Sequence, residues 1–232
     1  MSGSIPTRGR WFRPGRTRRI AMSGTDGLIR MANVMENLNF ALFSWLNAPA
    51  LPAPAMLHLA TFCAESLIWA IPVGIGLAWL RGGESVRRGM QAAALAGLTG
   101  LSANLLIGLA WQHPRPFMIG LGHTLIPHAA DSSFPSDHLT LWWSAAFSLL
   151  LRPGSRRVGW ALAALGLPMA WARIYLGVHF PLDMAGAAAT ALTAAWLTGP
   201  RNERRLEPIH RFAQYARRAL FGRFIAAGWL RA

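Results

Sequence analysis

The sequence predicts an all-α integral membrane protein, a helical bundle of about five to six transmembrane or interfacial helices. Apolar residues make up 53% of the 232 residues and charged residues only 14%, whereas about 25% is usual in a soluble domain. The apolar residues are gathered in long runs, and short clusters of arginine separate these runs. No repeat or low-complexity linker divides the chain, so a single membrane domain is the simplest organisation.

Five apolar runs are candidate membrane spans, because about 20 apolar residues are needed to cross a bilayer. They cover residues 55–80, 89–111, 137–151, 158–174 and 181–199. The shorter runs are credible spans because polar residues at their ends can face a cavity inside the protein. The preceding segment 35–47 is too short to span, so we expect an interfacial helix there.

The charged residues indicate a membrane topology and not a nucleic-acid surface. Basic residues number 23 against nine acidic ones, but they occur in separate clusters and form no continuous face. The clusters lie in the loops 81–88 and 152–157 and in the tail from Arg201. Because arginine-rich connections stay on the cytoplasmic side, we expect the segments 112–136 and 173–183 on the opposite, outer side.

Residues 1–34 are predicted to be a disordered, basic extension. Five spans with a cytoplasmic C-terminus would place this extension outside the cell, against the positive-inside rule. Either the segment 35–47 crosses the membrane as well, or translation starts downstream, which we favour. The methionines available for such a start are Met22, Met31 and Met35.

The membrane domain is therefore expected to cover residues 35–200, followed by a basic amphipathic cytoplasmic tail over residues 201–232. Apolar residues of the tail recur at helical spacing with arginines between them. This pattern is typical of a helix that lies on an anionic leaflet, and an ordinary solvated helix is the alternative.

Three polar fragments stand at the ends of the apolar runs, on the expected outer side. They are HPRPF at 113–117, FPSDH at 134–138 and ARIYLGVHFPLD at 172–183. In the first fragment, Arg115 lies between two prolines that stiffen the loop, so its guanidinium is available for bidentate contact with phosphate oxygens. His113 adds a further donor. The alternative is an ordinary turn.

The second fragment marks the start of a helix. Ser136 is expected at the N-cap of a helix that begins at Asp137, where its side chain bonds to a free amide. Such a terminus also holds anions, through the remaining amides and the helix dipole. His138, in the first turn, would lie beside that anion. Plain capping, with His138 at the surface, is the alternative.

The third fragment pairs an imidazole with a carboxylate. Pro181 suits the first position of a helix, which places Asp183 in the first turn, near His179. A carboxylate on one imidazole nitrogen raises the basicity of the other, so His179 is a candidate nucleophile toward phosphorus. Arg173, at the end of a span, needs a partner. That partner is a bound phosphate or, alternatively, Asp183.

Together these residues predict a phosphate-binding pocket with a nucleophile and a general acid. His128 and Asp131 lie just before the predicted helix start and are expected to shape the loop. Glu65 lies inside the first full span, where a carboxylate is costly. It either faces the pocket and pairs with an arginine or stays neutral in the bundle core.

These fragments resemble the type 2 phosphatidic acid phosphatase (PAP2) superfamily, whose signature is K-x6-R-P, then P-S-G-H, then S-R-x5-H-x3-D. The chain has Arg115-Pro116, the tetrapeptide 135–138 (PSDH), and Arg173-x5-His179-x3-Asp183. The stretches HTLIPHAADSSFPSDH and ARIYLGVHFPLD are most similar to the bacterial undecaprenyl-diphosphatases of the bacitracin-resistance group.

The resemblance implies a helical core related to that of the haloperoxidases and a two-step mechanism. His179 attacks the terminal phosphorus, Asp183 orients His179, and His138 protonates the leaving oxygen and then activates water. The groups that bind the phosphoryl oxygens are Arg115, Arg173 and Ser136, and the resemblance implies that no metal or other cofactor is needed. Supporting candidates are Asp137, His113, His128 and Glu65.

The implied activity is hydrolysis of undecaprenyl diphosphate at the periplasmic face of a bacterial inner membrane. This reaction recycles the carrier lipid for peptidoglycan synthesis and counters bacitracin. The expected partners are the lipid substrate and membrane lipids, with no nucleic acid and no obligate protein partner. The alternatives are a phosphatase or phosphotransferase that acts on phosphatidylglycerol phosphate, phosphatidic acid or lipid A, and a non-catalytic lipid-binding protein.

Three positions depart from the superfamily signature. Gly108 stands where the signature has Lys, Asp137 where it has Gly, and Ala172 where it has Ser. The first change removes a cation from the pocket, and His113, Gln112 or a helix-end amide is expected to compensate for it. The other two changes match the undecaprenyl-diphosphatase group.

Overall fold

The computed structural model describes residues 24–231, and these residues are helical apart from their connections. The α-helices are α1 (Gly24–Leu46), α2 (Pro54–Thr61), α3 (Ala70–Arg81), α4 (Glu84–Ala110), α5 (Asp137–Leu150), α6 (Arg156–Tyr175), α7 (Pro181–Leu197) and α8 (Glu203–Ala226). A π-helical turn at Phe62–Ser66 and a 3₁₀ turn at Leu67–Trp69 join α2 to α3. The predicted all-α class is confirmed.

The start of the described chain differs from the sequence expectation. Residues 24–37 belong to one compact unit and residues 38–231 to another. Residues 24–34 are helical and not disordered, and 35–47 is not a separate short helix but the end of α1. The reason is that apolar residues recur every three or four positions from Leu28 onward, a spacing that favours one continuous helix. Residues 1–23 lie outside the described residues.

Helix α5 lies at the centre of the second unit, where it contacts α4, α6 and α7. Small residues permit this close packing. A Cβ atom on Gly100 of α4 would lie only 2.8 Å from the hydroxyl oxygen of Ser144 in α5. Large side chains then complete the core, among them Trp142, which is fully buried and donates its indole N–H to the carbonyl of Leu162 at 2.6 Å.

Within residues 24–231, two helical segments are long and apolar enough to cross a membrane by length and composition. They are Pro54–Arg81, with 28 residues, and Glu84–Ala110, with 27 residues. Helices α5, α6 and α7 have 14, 20 and 17 residues. Their bounds agree with three of the five predicted runs to within a few residues, and their role as spans stays a prediction.

The helix order brings four helix ends to one end of the bundle. Because α4, α5, α6 and α7 pack on one another and are joined in sequence, the end of α4, the start of α5, the end of α6 and the start of α7 lie together. The three polar fragments of the sequence occupy these ends. The arginine-containing segments 81–88 and 152–157 lie at the opposite end, where Arg88 and Arg152 pair with α8.

A side-chain clamp holds the outer loop against the end of α6. Asn47 donates through Nδ2 to the carbonyls of His123, at 2.9 Å, and Tyr175, at 3.1 Å, and its Oδ1 accepts from the His123 amide at 2.7 Å. The turn that follows α6 packs closely against this loop. Gly177 has φ +80°, and a Cβ there would lie 2.1 Å from the His123 carbonyl oxygen. Only glycine meets both requirements.

Candidate active site

The imidazole of His179 and the carboxylate of Asp183 form a buried pair at the start of α7. Oδ2 of Asp183 accepts the backbone N–H of Phe180 at 2.8 Å and lies 3.1 Å from Nδ1 of His179. The side chains are 2% and 0% exposed. Because a carboxylate accepts hydrogen bonds, Nδ1 carries the proton, and the lone pair of Nε2 is directed away from Asp183.

Two guanidiniums approach that free nitrogen of His179. Nη1 of Arg115 lies 3.2 Å from Nε2, and Nη2 of Arg173 lies 3.3 Å from the same atom. Both arginines are buried. Arg173 and Asp183 therefore contact opposite edges of the His179 imidazole ring. They do not form the direct ion pair that the sequence left open as an alternative.

The two arginines are held differently. Arg115 is fixed along its whole guanidinium, because it donates to Asp131 Oδ1 at 2.8 Å, to the Val178 carbonyl at 2.9 Å and to the Ser132 carbonyl at 3.3 Å. Arg173 contacts Nε2 of His128 at 2.9 Å through Nη2, while its buried Nε has no hydrogen-bond partner. One donor of Arg173 is thus left for a further acceptor.

The start of α5 supplies a serine and a histidine. Ser136 is at the N-cap, and its carbonyl accepts from the Thr140 amide at 2.9 Å. Its side chain does not cap the helix as expected, because the hydroxyl is fully buried without a hydrogen-bond partner. His138 is partly buried and lies within electrostatic reach of Arg173, Arg115 and His128.

Burial and positive charge keep the two loop imidazoles neutral. Burial, followed by the charges of Arg173 and Arg115, lowers the pKa of His179 well below its usual 6.5. Burial and the charge of Arg115 likewise lower the pKa of His128. A neutral imidazole with a free lone pair on Nε2 is the form that attacks phosphorus.

The supporting residues fall into different places. Nδ1 of His113 lies 2.9 Å from the hydroxyl of Ser133, which in turn donates to Asp183 Oδ1 at 3.4 Å. His113 therefore connects to the pair through Ser133. Asp137 is exposed and accepts from Nδ2 of Asn104 at 2.8 Å.

Glu65 does not lie in the bundle core, which is one of the two environments expected for it. It is exposed on the π-helical turn and not buried in the bundle core. Its charge acts on Arg173, in line with the alternative expectation that it faces the pocket.

Sequence reasoning missed part of this network. Three further residues contact the site, namely Asn104, Asp131 and Ser133. Of these, the sequence singles out only Asp131, as a residue that shapes the loop. Asn104 carries a usable signal, since a polar side chain inside an apolar run needs a partner. Ser133 carries none in the sequence, because its role depends on the fold bringing it to Asp183.

A groove of about 370 Å³ opens beside the loop and the ends of α4 and α5. Its apolar wall is formed by side chains of α4, including Leu101, Leu105 and Leu109, and its polar rim includes Asp131 and Asp137. Gly108, where the superfamily has Lys, lines the same groove. Within residues 24–231, no group of three His, Cys, Asp or Glu side chains is arranged to hold a metal ion.

The chain is similar in sequence to several known proteins. It is 40% identical over 157 residues to YbjG of Escherichia coli (strain K12), a candidate undecaprenyl-diphosphatase, covering 66% of this chain and 77% of that one. It is 34% identical over 160 residues to the undecaprenyl-diphosphatase BcrC of Bacillus subtilis (strain 168), covering 69% of this chain and 82% of that one.

Solved structures share the fold. The crystal structure of Aquifex aeolicus LpxE matches with a TM-score of 0.55 and 21% identity, covering 69% of this chain and 94% of that one. The PAP2-type phosphatidylglycerolphosphate phosphatase of Bacillus subtilis matches with a TM-score of 0.53 and 20% identity, covering 76% and 92%. The family model of the PAP2 superfamily matches residues 88–205. This chain is therefore a membrane protein that belongs to the PAP2 superfamily.

Proposed function

We propose that this protein is an undecaprenyl-diphosphate phosphatase, which releases inorganic phosphate and leaves undecaprenyl phosphate. One observation supports it above the others. Beside the neutral His179, Nε of Arg173 and the hydroxyl of Ser136 are buried and have no hydrogen-bond partner in the described part of the chain. Buried polar groups are almost always paired, and a phosphoryl group supplies the acceptors for both. The relatives named as undecaprenyl-diphosphatases supply the substrate class.

In the first step, Nε2 of His179 attacks the terminal phosphorus. The bond from phosphorus to the bridging oxygen breaks, and undecaprenyl phosphate leaves with a proton from His138. Asp183 stabilises the positive charge that develops on the imidazole, because its carboxylate lies 3.1 Å from Nδ1. Arg115 and Arg173 neutralise the oxygens of the transferring group.

In the second step, water attacks the phosphohistidine. His138, now without its proton, takes a proton from the water, the phosphorus–nitrogen bond breaks, and inorganic phosphate leaves. His179 returns to its neutral form. The same histidine thus serves as acid and then as base, so each cycle restores the starting protonation states.

The contacts of Nε2 of His179 indicate what must change when the substrate binds. Both guanidiniums approach Nε2 of His179, the atom that has to attack. A phosphoryl group that enters draws the guanidinium hydrogens to its own oxygens, because a charged acceptor forms the stronger hydrogen bond. The lone pair of His179 is then directed at phosphorus. Substrate binding and activation of the nucleophile are one event in this proposal.

The lipid chain has a place beside the site. The apolar wall of the groove fits a prenyl chain, and the groove reaches the site at Asp131, whose Oδ1 accepts from Nε of Arg115 at 2.8 Å. The arginine-rich opposite end supports a cytoplasmic location for that end. The site is then at the periplasmic face of the inner membrane, where it recycles the carrier lipid for peptidoglycan synthesis and counters bacitracin.

We further propose that His179, His138 and Asp183 carry the chemistry and that Arg115, Arg173 and Ser136 bind phosphate. The mutation that tests this assignment is His179→Ala. It is expected to abolish phosphate release while the purified protein keeps its helical circular dichroism and elution volume. A variant with unchanged turnover would exclude the phosphohistidine route.

The substrate is tested by phosphate release from undecaprenyl diphosphate beside phosphatidylglycerol phosphate, phosphatidic acid and lipid A, each in the same detergent. The proposal expects the highest kcat/KM for undecaprenyl diphosphate. A higher value for another lipid would make that lipid the substrate. Phosphate transfer to a lipid acceptor without release would indicate a phosphotransferase. If none of these lipids is hydrolysed, the protein is better explained as a lipid-binding protein. The absence of the signature Lys, which is replaced by Gly108, supports that alternative.

A further inference from the structure

The hydrogen bond between Arg173 and His128 has no place in the two chemical steps. Nδ1 of His128 lies 3.2 Å from the carbonyl oxygen of Ala129. A carbonyl only accepts, so Nδ1 carries the proton and Nε2 has the lone pair. That lone pair accepts a hydrogen of Arg173 Nη2 at 2.9 Å. The second hydrogen of the same Nη2 faces Nε2 of His179 at 3.3 Å.

A bound phosphate would use one edge of Arg173. Guanidiniums bind phosphate through two parallel N–H groups, and the edge formed by Nε and Nη2 has an unused donor at Nε. When phosphate binds, one of its oxygens replaces Nε2 of His179 as the acceptor of the second Nη2 hydrogen. The hydrogen on His128 stays in place, so the guanidinium plane keeps its orientation.

We propose that His128 is a positioning residue that holds the Nε–Nη2 edge of Arg173 toward the transferring phosphoryl group. This inference rests on the proposed function for its substrate. Positioning matters more in this chain than where the signature Lys is present, because Gly108 contributes no cation. The remaining cationic side chains that directly contact Nε2 of His179 are Arg115, which three acceptors fix, and Arg173, which depends on His128.

The test compares His128→Ala, His128→Gln and His123→Ala. In His128→Ala, the KM for the lipid and the dissociation constant for inorganic phosphate are expected to rise about tenfold, the usual effect of losing a hydrogen bond to a charged group. The kcat should stay within about twofold. His128→Gln presents a carbonyl oxygen to Arg173 and should recover most of the affinity. His123 is an exposed histidine of the same loop, and its replacement should change neither constant.

Several outcomes would overturn the inference: an unchanged phosphate affinity in His128→Ala, a fall in kcat alone, or a Gln variant as impaired as the Ala variant. Circular dichroism and elution volume establish that each variant is folded, and the Gln variant keeps the test decisive if Ala does not fold. Phosphate binding needs no lipid turnover. A loss of phosphate affinity in a protein that hydrolyses no lipid would therefore refute the proposed function and support the role of His128.

A second inference comes from the opposite end of the bundle, where α8 is fastened by side chains. Glu203 pairs with Arg152 at 2.6 Å, and Glu207 pairs with Arg88 at 2.7 Å. The buried His210 lies 2.5 Å from Gln91. These partners belong to α4 and to the turn before α6. They hold α8 at the end where the candidate spans Pro54–Arg81 and Glu84–Ala110 meet.

The outward face of α8 combines aromatic rings with arginines. Phe212, Tyr215 and Leu220 are between 71% and 73% exposed. The exposed arginines of the helix are Arg204, Arg205, Arg211, Arg218 and Arg223. Its two carboxylates, Glu203 and Glu207, are both engaged in ion pairs.

We infer that this face binds the anionic phospholipid headgroups of the adjacent leaflet. Arginine pairs with lipid phosphate, and aromatic rings settle at the headgroup level. The charge of the face is complementary to an acidic leaflet, and the attachment to α4 keeps the face beside the membrane. This interaction is independent of the chemistry at His179.

The test uses hydrogen–deuterium exchange of α8 in nanodiscs of phosphatidylcholine, with and without phosphatidylglycerol. Phosphatidylglycerol is expected to slow exchange over residues 203–226 about tenfold, and Arg204→Gln/Arg218→Gln should remove that difference. The control Arg156→Gln/Arg157→Gln removes the same charge from exposed residues at the start of α6 and should keep it. Equal exchange in both lipids, or an equal loss in the control, would refute the inference.

Discussion

Nδ1 of His179 lies 3.1 Å from Oδ2 of Asp183, across the turn that opens α7. The same carboxylate oxygen accepts the Phe180 amide hydrogen at 2.8 Å. The backbone therefore holds Asp183 in the position from which it orients the imidazole. The x3 spacing in the sequence becomes a pair that points the other nitrogen, Nε2, at two guanidiniums. The predictions below test what each part of this arrangement contributes.

Asp183→Asn is expected to lower kcat at least about 100-fold, the scale on which general acid–base groups contribute. The amide oxygen of Asn can still accept the Phe180 amide, so the helix start is preserved. The charge that stabilises the imidazolium is lost, however. Steady-state kinetics with undecaprenyl diphosphate measure the effect, and a kcat above half of the wild-type value would show that His179 does not depend on this carboxylate.

Two neighbouring serines should behave in opposite ways. Ser136→Ala removes a hydroxyl that has no hydrogen-bond partner among residues 24–231, so it should raise KM and leave unfolding unchanged. Ser133→Ala removes the link between His113 and Asp183 and should lower stability by about 1 to 3 kcal/mol, because each of these buried side chains loses one hydrogen bond. Thermal unfolding in detergent, together with kinetics, separates the two. Equal destabilisation by both changes would contradict the assignment.

The pH dependence follows from the lowered pKa of His179. Burial and the charges of Arg173 and Arg115 lower that pKa well below 6.5, so the imidazole takes up a proton only in more acidic solution. The acid limb of kcat/KM, which reports on the free enzyme, is expected below pH 6.5. In Arg173→Gln one positive charge is gone, and the limb should move to higher pH. A wild-type limb above 6.5, or a downward shift in the variant, would contradict this reasoning.

Gly177→Ala is expected to destabilise the protein by about 2 kcal/mol or more, because strain from positive φ adds to a collision. The new Cβ would lie 2.1 Å from the His123 carbonyl oxygen. Gly120→Ala is the matched control, since Gly120 also has positive φ (+68°) but nothing lies within 4 Å of its Cβ position. The control should cost about 1 kcal/mol. Denaturant unfolding in detergent measures both, and equal losses would show that the contact with His123 is unimportant.

Much of the fold follows from local patterns. Three of the helices, α5, α6 and α7, begin and end within a few residues of apolar runs in the sequence, because polar loops with Gly, Pro and Arg interrupt these runs. The first helix does not follow this rule. Arginines dominate the composition of the first thirty residues and favour disorder, but the helical spacing that begins at Leu28 predicts the helix that the structure shows at residues 24–46.

The spacing of the motifs also carried chemical information. The positions of Arg173, His179 and Asp183 lie within one turn and one helix start, so local geometry alone brings them near one another. Arg115 is different, because it is 64 residues from His179. Its contact with Nε2 depends on how α4, α5 and α7 pack.

The sequence by itself determined the helical class, the apolar runs and the pairing of His179 with Asp183, since each depends on residues close in the chain. Only the tertiary structure decided that Asp131 fixes Arg115, that His128 holds Arg173, that Ser133 bridges to Asp183 and that Ser136 is left free. These contacts join residues from separate segments, and helix packing, which local periodicity does not specify, sets the distances between them.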